Sequence, residues 1–310
     1  MATQCSKCDS KAVYLRRYTS EALCDSCLAE TTLQRVRRTI NKHKMFREND
    51  RIAVAISGGK DSSVLLHILH RIEKKYPDSE IIPITIDEGI MGYRDRALEA
   101  AKKLTRSLDL TLEVRSFREL FGHSLDDIVK MRKSDKPIGA CSFCGVLRRR
   151  AINSTASELE ADVVATGHNM DDEAQTLLIN MLRGDSRRIV RTSRPREKAL
   201  RGFVPRVKPI MEITERDVVA YSHSQALEYH DVPCPYSVEA YRNDVKDFLN
   251  DMEHRRPGTL LAILRSGEEI GKAFEQTPVA TELRECEQCG SVTPDRICKV
   301  CSMLSDISGN

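Results

Sequence analysis

The run Val54-Ala55-Ile56-Ser57-Gly58-Gly59-Lys60-Asp61-Ser62 narrows the choice of fold more than any other part of the chain. Apolar residues lead into two glycines and then into an apolar-periodic stretch, which reads as a strand, a tight turn and a helix start. Glycines let a backbone approach an anion closely, and the free amides of a first helical turn point at it with the positive end of the helix dipole. Ser57 and Ser62 add hydroxyls and Lys60 adds charge. A Walker A loop needs a glycine five residues before Gly59, where Val54 stands, so this is a different kind of phosphate-gripping turn.

The surrounding residues keep a strand–helix rhythm. Strands are expected at 52–56, 81–86, 110–114 and 162–166, and helices at 62–75, 94–108, 144–159 and 171–182, with an irregular stretch ending near residue 137. Such alternation predicts an α/β fold with a doubly wound parallel sheet, whose ligands bind at the carboxyl ends of the strands. Three polar motifs fall at such ends: the glycine loop, Asp87-Glu88-Gly89 and Gly167-His168-Asn169. Asp171 and Asp172 open a helix, where they either complement its dipole or serve a metal or catalytic role. Residues 1–30 hold too few apolar side chains to fold unaided, and a helix at 31–45 joins them to the core. The expected units are 1–48, 49–235, a mostly helical 236–285, and 286–310.

Eleven cysteines divide unevenly among these units. Cys5, Cys8, Cys24 and Cys27 form two CxxC pairs with the spacing of a four-cysteine zinc site, as do Cys286, Cys289, Cys298 and Cys301 with a shorter middle loop. Cys141, Cys144 and Cys234 are left over. Cys144 is expected to start a helix carrying Arg148, Arg149 and Arg150, a setting that favours thiolate, while Cys234 sits in a rigid turn between Pro233 and Pro235. Three chemistries suit the trio: a [4Fe–4S] cluster with one iron left open, persulfide or disulfide nucleophiles, or a third zinc with His168 or another ligand.

The net charge of +3 conceals local imbalance. Between Arg183 and Lys208 ten Lys/Arg residues face two acids, and Arg35, Arg37, Arg38, Lys42, Lys44 and Arg47 form a second basic stretch. Two such runs in a nearly neutral chain favour a polyanion partner, bound through backbone phosphates rather than by stacking on aromatics, since tryptophan is absent. No apolar run suits a membrane span and the first residues lack a signal-peptide layout, so a cytoplasmic protein with reduced or metal-bound cysteines is expected.

The S-G-G-K-D-S string resembles the PP-loop of the N-type ATP pyrophosphatases, which cleave ATP between the α and β phosphates. Nearly the whole chain resembles the tRNA 2-thiouridine synthetases, with a PP-loop domain between terminal zinc ribbons and three active-site cysteines. Asp87-Glu88-Gly89-Ile90, Gly92-Tyr93-Arg94, the run from Cys141 to Arg149, Gly167-His168-Asn169-Met170-Asp171-Asp172 and Leu182-Arg183-Gly184-Asp185 are most similar to the wobble-uridine branch of archaea and eukaryotes. The all-cysteine N-terminal set departs from members that use histidine as fourth ligand.

The resemblance implies an ATP-dependent tRNA-uridine 2-sulfurtransferase. Its ATP site would comprise Ala55, Ser57, Gly58, Gly59, Lys60, Asp61, Ser62, Ile86, Arg148 and Gly167, with Asp61 near the phosphates or Mg²⁺. Cys141, Cys144 and Cys234 would hold a [4Fe–4S] cluster and, with Lys60 and Asp61, carry the chemistry; the terminal sets would hold two Zn²⁺. The partners implied are tRNA, a sulfur donor (a ubiquitin-like protein thiocarboxylate, a persulfide carrier or sulfide), and a second copy or a paralogue. The competing readings are the same chemistry at uridine 54 or on cytidine, a PP-loop tRNA ligase without sulfur transfer, and a non-catalytic zinc-ribbon RNA-binding protein.

Overall fold

The computed structural model describes residues 4–74, 76, 78–132, 139–186, 188–189, 202–237, 242–273 and 283–308. At its centre β3 (Arg51–Ala55) pairs in parallel with β4 (Glu80–Asp87) and with β6 (Val163–Thr166). Parallel strands β5 (Glu113–Ser116) and β7 (Arg206–Val207) extend the sheet to the order β5-β4-β3-β6-β7. Side chains of a strand alternate between faces. Ile52 and Val54 therefore join a core with α1 (Asp25–Lys42) and α2 (Lys60–Glu73), while Ala53 faces α6 (Ala140–Glu158) through Ala156. Leu65 and Leu66 of α2 are fully buried, each stabilising the fold by about 1.5–3 kcal/mol.

The other described helices are α3 (Arg94–Ser107), α4 (Phe117–Phe121), α5 (Leu125–Met131), α7 (Met170–Leu182), α8 (Glu215–Ser224), α9 (Arg242–Arg255), α10 (Thr259–Ala273) and α11 (Lys299–Ser308). Helices α9 and α10 cover α7, with Leu249, Leu260 and Leu264 packed on Met170 and Ala174.

Each terminal module is a two-stranded hairpin followed by a helix, and each leans on a different part of the core. In the first, β1 (Tyr14–Arg16) pairs with β2 (Glu21–Leu23), and Cys24 caps α1. Its Arg16 side chain, fully buried, meets the fully buried Asp217 of α8 at 3.0 Å. Tyr14 donates to the same carboxylate at 2.9 Å, and Tyr18 donates to its other oxygen. In the second, β8 (Arg284–Glu285) pairs with β9 (Val292–Thr293), and Met303 and Ile307 of α11 enter the apolar cluster built on Phe143, Cys144 and Leu147 of α6.

Several elements differ from expectation. The third strand begins at Glu113 rather than 110, because Asp109 takes a left-handed φ of 57° and Leu110 closes the end of α3 by donating to Thr105 O at 2.9 Å. Leu110 and Leu112 pack on the core from that turn. Helix α6 starts at Ala140 with Gly139 as cap, so Cys144 lies one turn inside it rather than at its start. Helix α1 starts at Asp25 and contains Cys27. The stretch expected to be irregular contains α4 and α5, both entered through serine capping boxes at Ser116 and Ser124. Strand β7 was not expected at all. Half of the basic segment between Arg183 and Lys208 lies outside the described residues.

Candidate active site

The glycine loop turns at the carboxyl end of β3. Gly58 has φ +86°, and a Cβ there would stand 2.0 Å from the carbonyl oxygen of Ala97 in α3, so only glycine fits. Its carbonyl accepts the His230 amide at 2.8 Å. The two loop serines brace the turn: Ser57 N donates to Ser62 Oγ at 3.1 Å, and Ser62 Oγ donates to Gly59 O at 2.9 Å. Gly59 caps α2 without a side-chain cap, so the first-turn amides remain available to an anion. Gly167, just beyond β6, approaches so closely that a Cβ would lie 2.9 Å from Ser62 N.

Lys60 Nζ lies 3.0 Å from Asp61 and 2.8 Å from Glu215 at the start of α8. Burial works against its charge, but the two carboxylates outweigh it and raise its pKa. Asp61 also accepts Asn169 Nδ2 at 2.8 Å, and Asn169 forms a capping box with Asp172. Burial raises Asp171 to about 6, against the hydrogen bond its carboxylate accepts from Glu215 N at 2.8 Å. Burial and then Asp61 raise Asp172, which Arg242 meets at 3.2 Å.

Beyond the end of β4, Glu88 is 5% exposed and lies between two arginines. Arg94 Nε is 3.0 Å away and Arg148 Nη1 is 3.5 Å away, on different carboxylate oxygens. Arg94, 4% exposed, also donates to Ser57 O and to Thr85 Oγ1. Ile86 is buried in the apolar cluster beside Phe143 and Cys144, while Ala55 is half-buried at the end of β3.

The three remaining cysteines stand on that same side. Cys141, in the first turn of α6, is exposed and donates to Tyr236 O at 3.2 Å. Cys144 is buried and Cys234 half-buried within one apolar cluster. Tyr236 donates to Asp126 at 2.7 Å, which ties the proline-flanked turn to α5. Burial pushes the Cys144 thiol up to about 11 despite nearby Arg148, and raises Cys234 too. The expected thiolate-favouring environment is therefore overturned for Cys144: it is too far along the helix for the dipole, and desolvation outweighs the arginine. His168 Nδ1 is 2.9 Å from Thr166 Oγ1.

In each terminal module the four sulfurs converge, every pair lying within 4.8 Å. Cys8 lies 3.6 Å from Cys24 and from Cys27, and Cys289 is 3.7 Å from Cys298. Tetrahedral thiolates about 2.3 Å from one zinc stand about 3.8 Å apart, so both sets fit zinc ribbons. Among the described residues the Cys141, Cys144 and Cys234 trio is not gathered within that 4.8 Å limit, with or without His168.

A family model for the PP-loop domain ATP_bind_3 matches residues 28–253. "Cytoplasmic tRNA 2-thiolation protein 1" of Drosophila sechellia is 37% identical over 305 residues, 98% of this chain and 87% of the relative. The protein of the same name from Drosophila melanogaster matches to the same extent. The chain belongs to the PP-loop family of tRNA 2-thiolation proteins. The solved U34-tRNA thiolase NcsA from Methanococcus maripaludis, described with its [4Fe-4S] cluster, superimposes on this PP-loop protein with a TM-score of 0.85. The two are 33% identical, and the match covers 99% of this chain and 97% of NcsA. In this PP-loop protein Glu215 and Tyr236 carry site contacts that no sequence signal assigned, because lone charged or aromatic residues acquire partners only when distant segments meet; Glu88 and Arg94 stand in motifs legible in the sequence, but their ion pair is not.

Proposed function

We propose that this chain is a cytoplasmic enzyme that uses ATP to replace oxygen with sulfur at C2 of the wobble uridine, position 34, of tRNA. One observation carries the reading: the phosphate loop and the apolar cluster of Cys144 and Cys234, with Cys141 hydrogen-bonded to Tyr236 of that cluster, lie at the carboxyl end of one parallel sheet, in a chain matching a U34-tRNA thiolase over 99% of its length.

The uridine C2 oxygen attacks the α-phosphate of ATP, the bond to the β-phosphate breaks and pyrophosphate leaves. Ser57, Gly58, Gly59, Lys60 and Ser62 hold the departing charge, chiefly through the first-turn amides of α2 and the Lys60 ammonium, and Asp61 serves the phosphates or Mg²⁺. Ala55 and Ile86 contribute backbone on the adenine side, Gly167 closes the site, and Arg148 contacts ATP or tRNA. A sulfur nucleophile then adds at C2 and AMP leaves, which makes a poor leaving oxygen a good one. Cys141, Cys144 and Cys234 suit a [4Fe–4S] cluster, because thiolates on different irons need wider spacing than one zinc tolerates. Such a cluster supplies an open iron for a sulfur ligand. The terminal sets hold two Zn²⁺, and the units 1–48, 49–235, 236–285 and 286–310 correspond to ribbon with linker, catalytic domain, helical segment and ribbon. Sulfide, a persulfide carrier or a protein thiocarboxylate brings the sulfur, and a second copy or a paralogue completes the assembly.

The test is anaerobic incubation of the purified protein with unmodified tRNA, Mg-ATP and sulfide, followed by mass spectrometry of nucleosides and mapped fragments. Thiouridine at position 34 in step with AMP release is expected, and Cys141→Ala should abolish it while both ribbons keep zinc. Thiolation at position 54, or AMP release without thiolation, would move the assignment to the competing reactions.

A further inference from the structure

The Glu88 carboxylate touches both halves of the site. Through Oε2 it meets Arg94, and Arg94 donates to the Ser57 carbonyl at the start of the phosphate loop. Through Oε1 it meets Arg148, which stands one helical turn beyond Cys144. The backbone carbonyl of Glu88 is held by Leu125 N at 2.7 Å, so the residue has little freedom to shift. The Gly89 that follows takes φ +69° and its Cβ would lie 2.6 Å from Ser124 Cβ, which fixes where this turn can run. We propose that Glu88 is a positioning residue that sets Arg148 in register with the phosphate loop, so that the adenylating and sulfur-delivering halves share one geometry. This rests on the thiolation reading for its effect on turnover.

The two arginines differ in what they lose without the carboxylate. Arg94 is 4% exposed and would be left as a buried charge, whereas the Arg148 side chain is 45% exposed and can turn to solvent. In Glu88→Gln the single remaining carbonyl oxygen therefore stays with Arg94, and the amide nitrogen faces the donors of Arg148. The phosphate loop keeps its brace while Arg148 is released.

The experiment compares wild type, Glu88→Gln, Arg148→Gln and the double variant by nucleotide titration, thiolation turnover and dicarbonyl labelling of Arg148 mapped by mass spectrometry. In Glu88→Gln, turnover should fall about tenfold, the scale expected from misplacing a contact slightly, and ATP affinity should fall no further than it does in Arg148→Gln. The double variant should be no worse than Arg148→Gln alone, since the carboxylate acts through that arginine. Labelling of Arg148 should rise in Glu88→Gln, a readout that needs no thiolation. Unchanged labelling overturns the proposal, as does a fully additive double variant or a Glu88→Gln that loses ATP binding and folding together. If wild type thiolates nothing but Arg148 labelling still rises, the functional reading fails while the brace stands.

Discussion

Asp217→Asn tests how the N-terminal ribbon is fastened to the catalytic domain. The carboxylate has no solvent exposure and receives three donors: Tyr14 at 2.9 Å, Arg16 at 3.0 Å, and Tyr18 on its other oxygen. Asparagine keeps the shape but offers one acceptor oxygen and removes the charge facing a guanidinium that cannot lose its proton. Breaking a buried ion pair from one side costs about 3–5 kcal/mol. Arg16 retains a second, partly exposed carboxylate, Glu21 at 3.4 Å, and the hydroxyls of Thr31 and Thr32, which places the cost near the lower end, about 3 kcal/mol. For a chain of this size that corresponds to a melting temperature lower by about 4–6 °C. Near-ultraviolet circular dichroism would follow the melt, and a chromogenic chelator would follow zinc release, which should begin earlier in the variant. The double variant Arg16→Met/Asp217→Leu should recover most of the loss, because no buried charge is then left unpaired. A single variant within about 1 kcal/mol of wild type, or a double variant as unstable as the single, would refute the reasoning.

Three further outcomes are expected. Gly58→Ala forces a side chain into φ +86° and against the Ala97 carbonyl, so nucleotide titration should register at least about tenfold weaker ATP binding. Met303→Ala removes a side chain 1% exposed from the cluster beneath the cysteine helix; chemical denaturation should reveal a loss of about 2–5 kcal/mol, with ATP binding intact. Asp171 holds its proton more tightly when folded, at about 6 against the usual 3.8, so the stability it contributes is present at pH 4 and is lost as pH rises through 6. Asp171→Asn does not titrate, so its stability relative to wild type should climb by about 2–3 kcal/mol between pH 4 and 7.5 in urea titrations, and a flat difference would contradict the pKa.

The parts of the fold readable in the sequence were those with local causes. The strand, glycine turn and helix around Ser57–Ser62 carry their own signature in two glycines and a helical apolar repeat, and the observed β3 and α2 differ from expectation by one or two residues at each start. The CxxC pairs likewise announce themselves by spacing, and their sulfurs converge. What was misplaced depended on tertiary context. The apolar Leu110 and Leu112 look like strand residues, yet they plug the core from a turn, and the strand that follows is half-buried and charged. Helix α6 begins without a serine, threonine, aspartate or asparagine cap, so nothing local marked Ala140 as its start. The thiolate-favouring setting expected at Cys144 is opposed by burial for the same reason, since its cover by α11 is invisible until a segment more than a hundred residues away folds onto it.

The same long reach bears on how the molecule is made. The hairpin that carries Arg16 leaves the ribosome 201 residues ahead of the aspartate it grips. The helix that seals Phe143 and Cys144 follows much later still. During synthesis the first metal module must therefore wait undocked, and the cysteine helix must wait with one apolar side uncovered. The nascent chain can assemble its phosphate loop well before its thiol pocket is enclosed. Enclosure of the thiol pocket is accordingly expected to come after synthesis, on a chain whose nucleotide half is already folded.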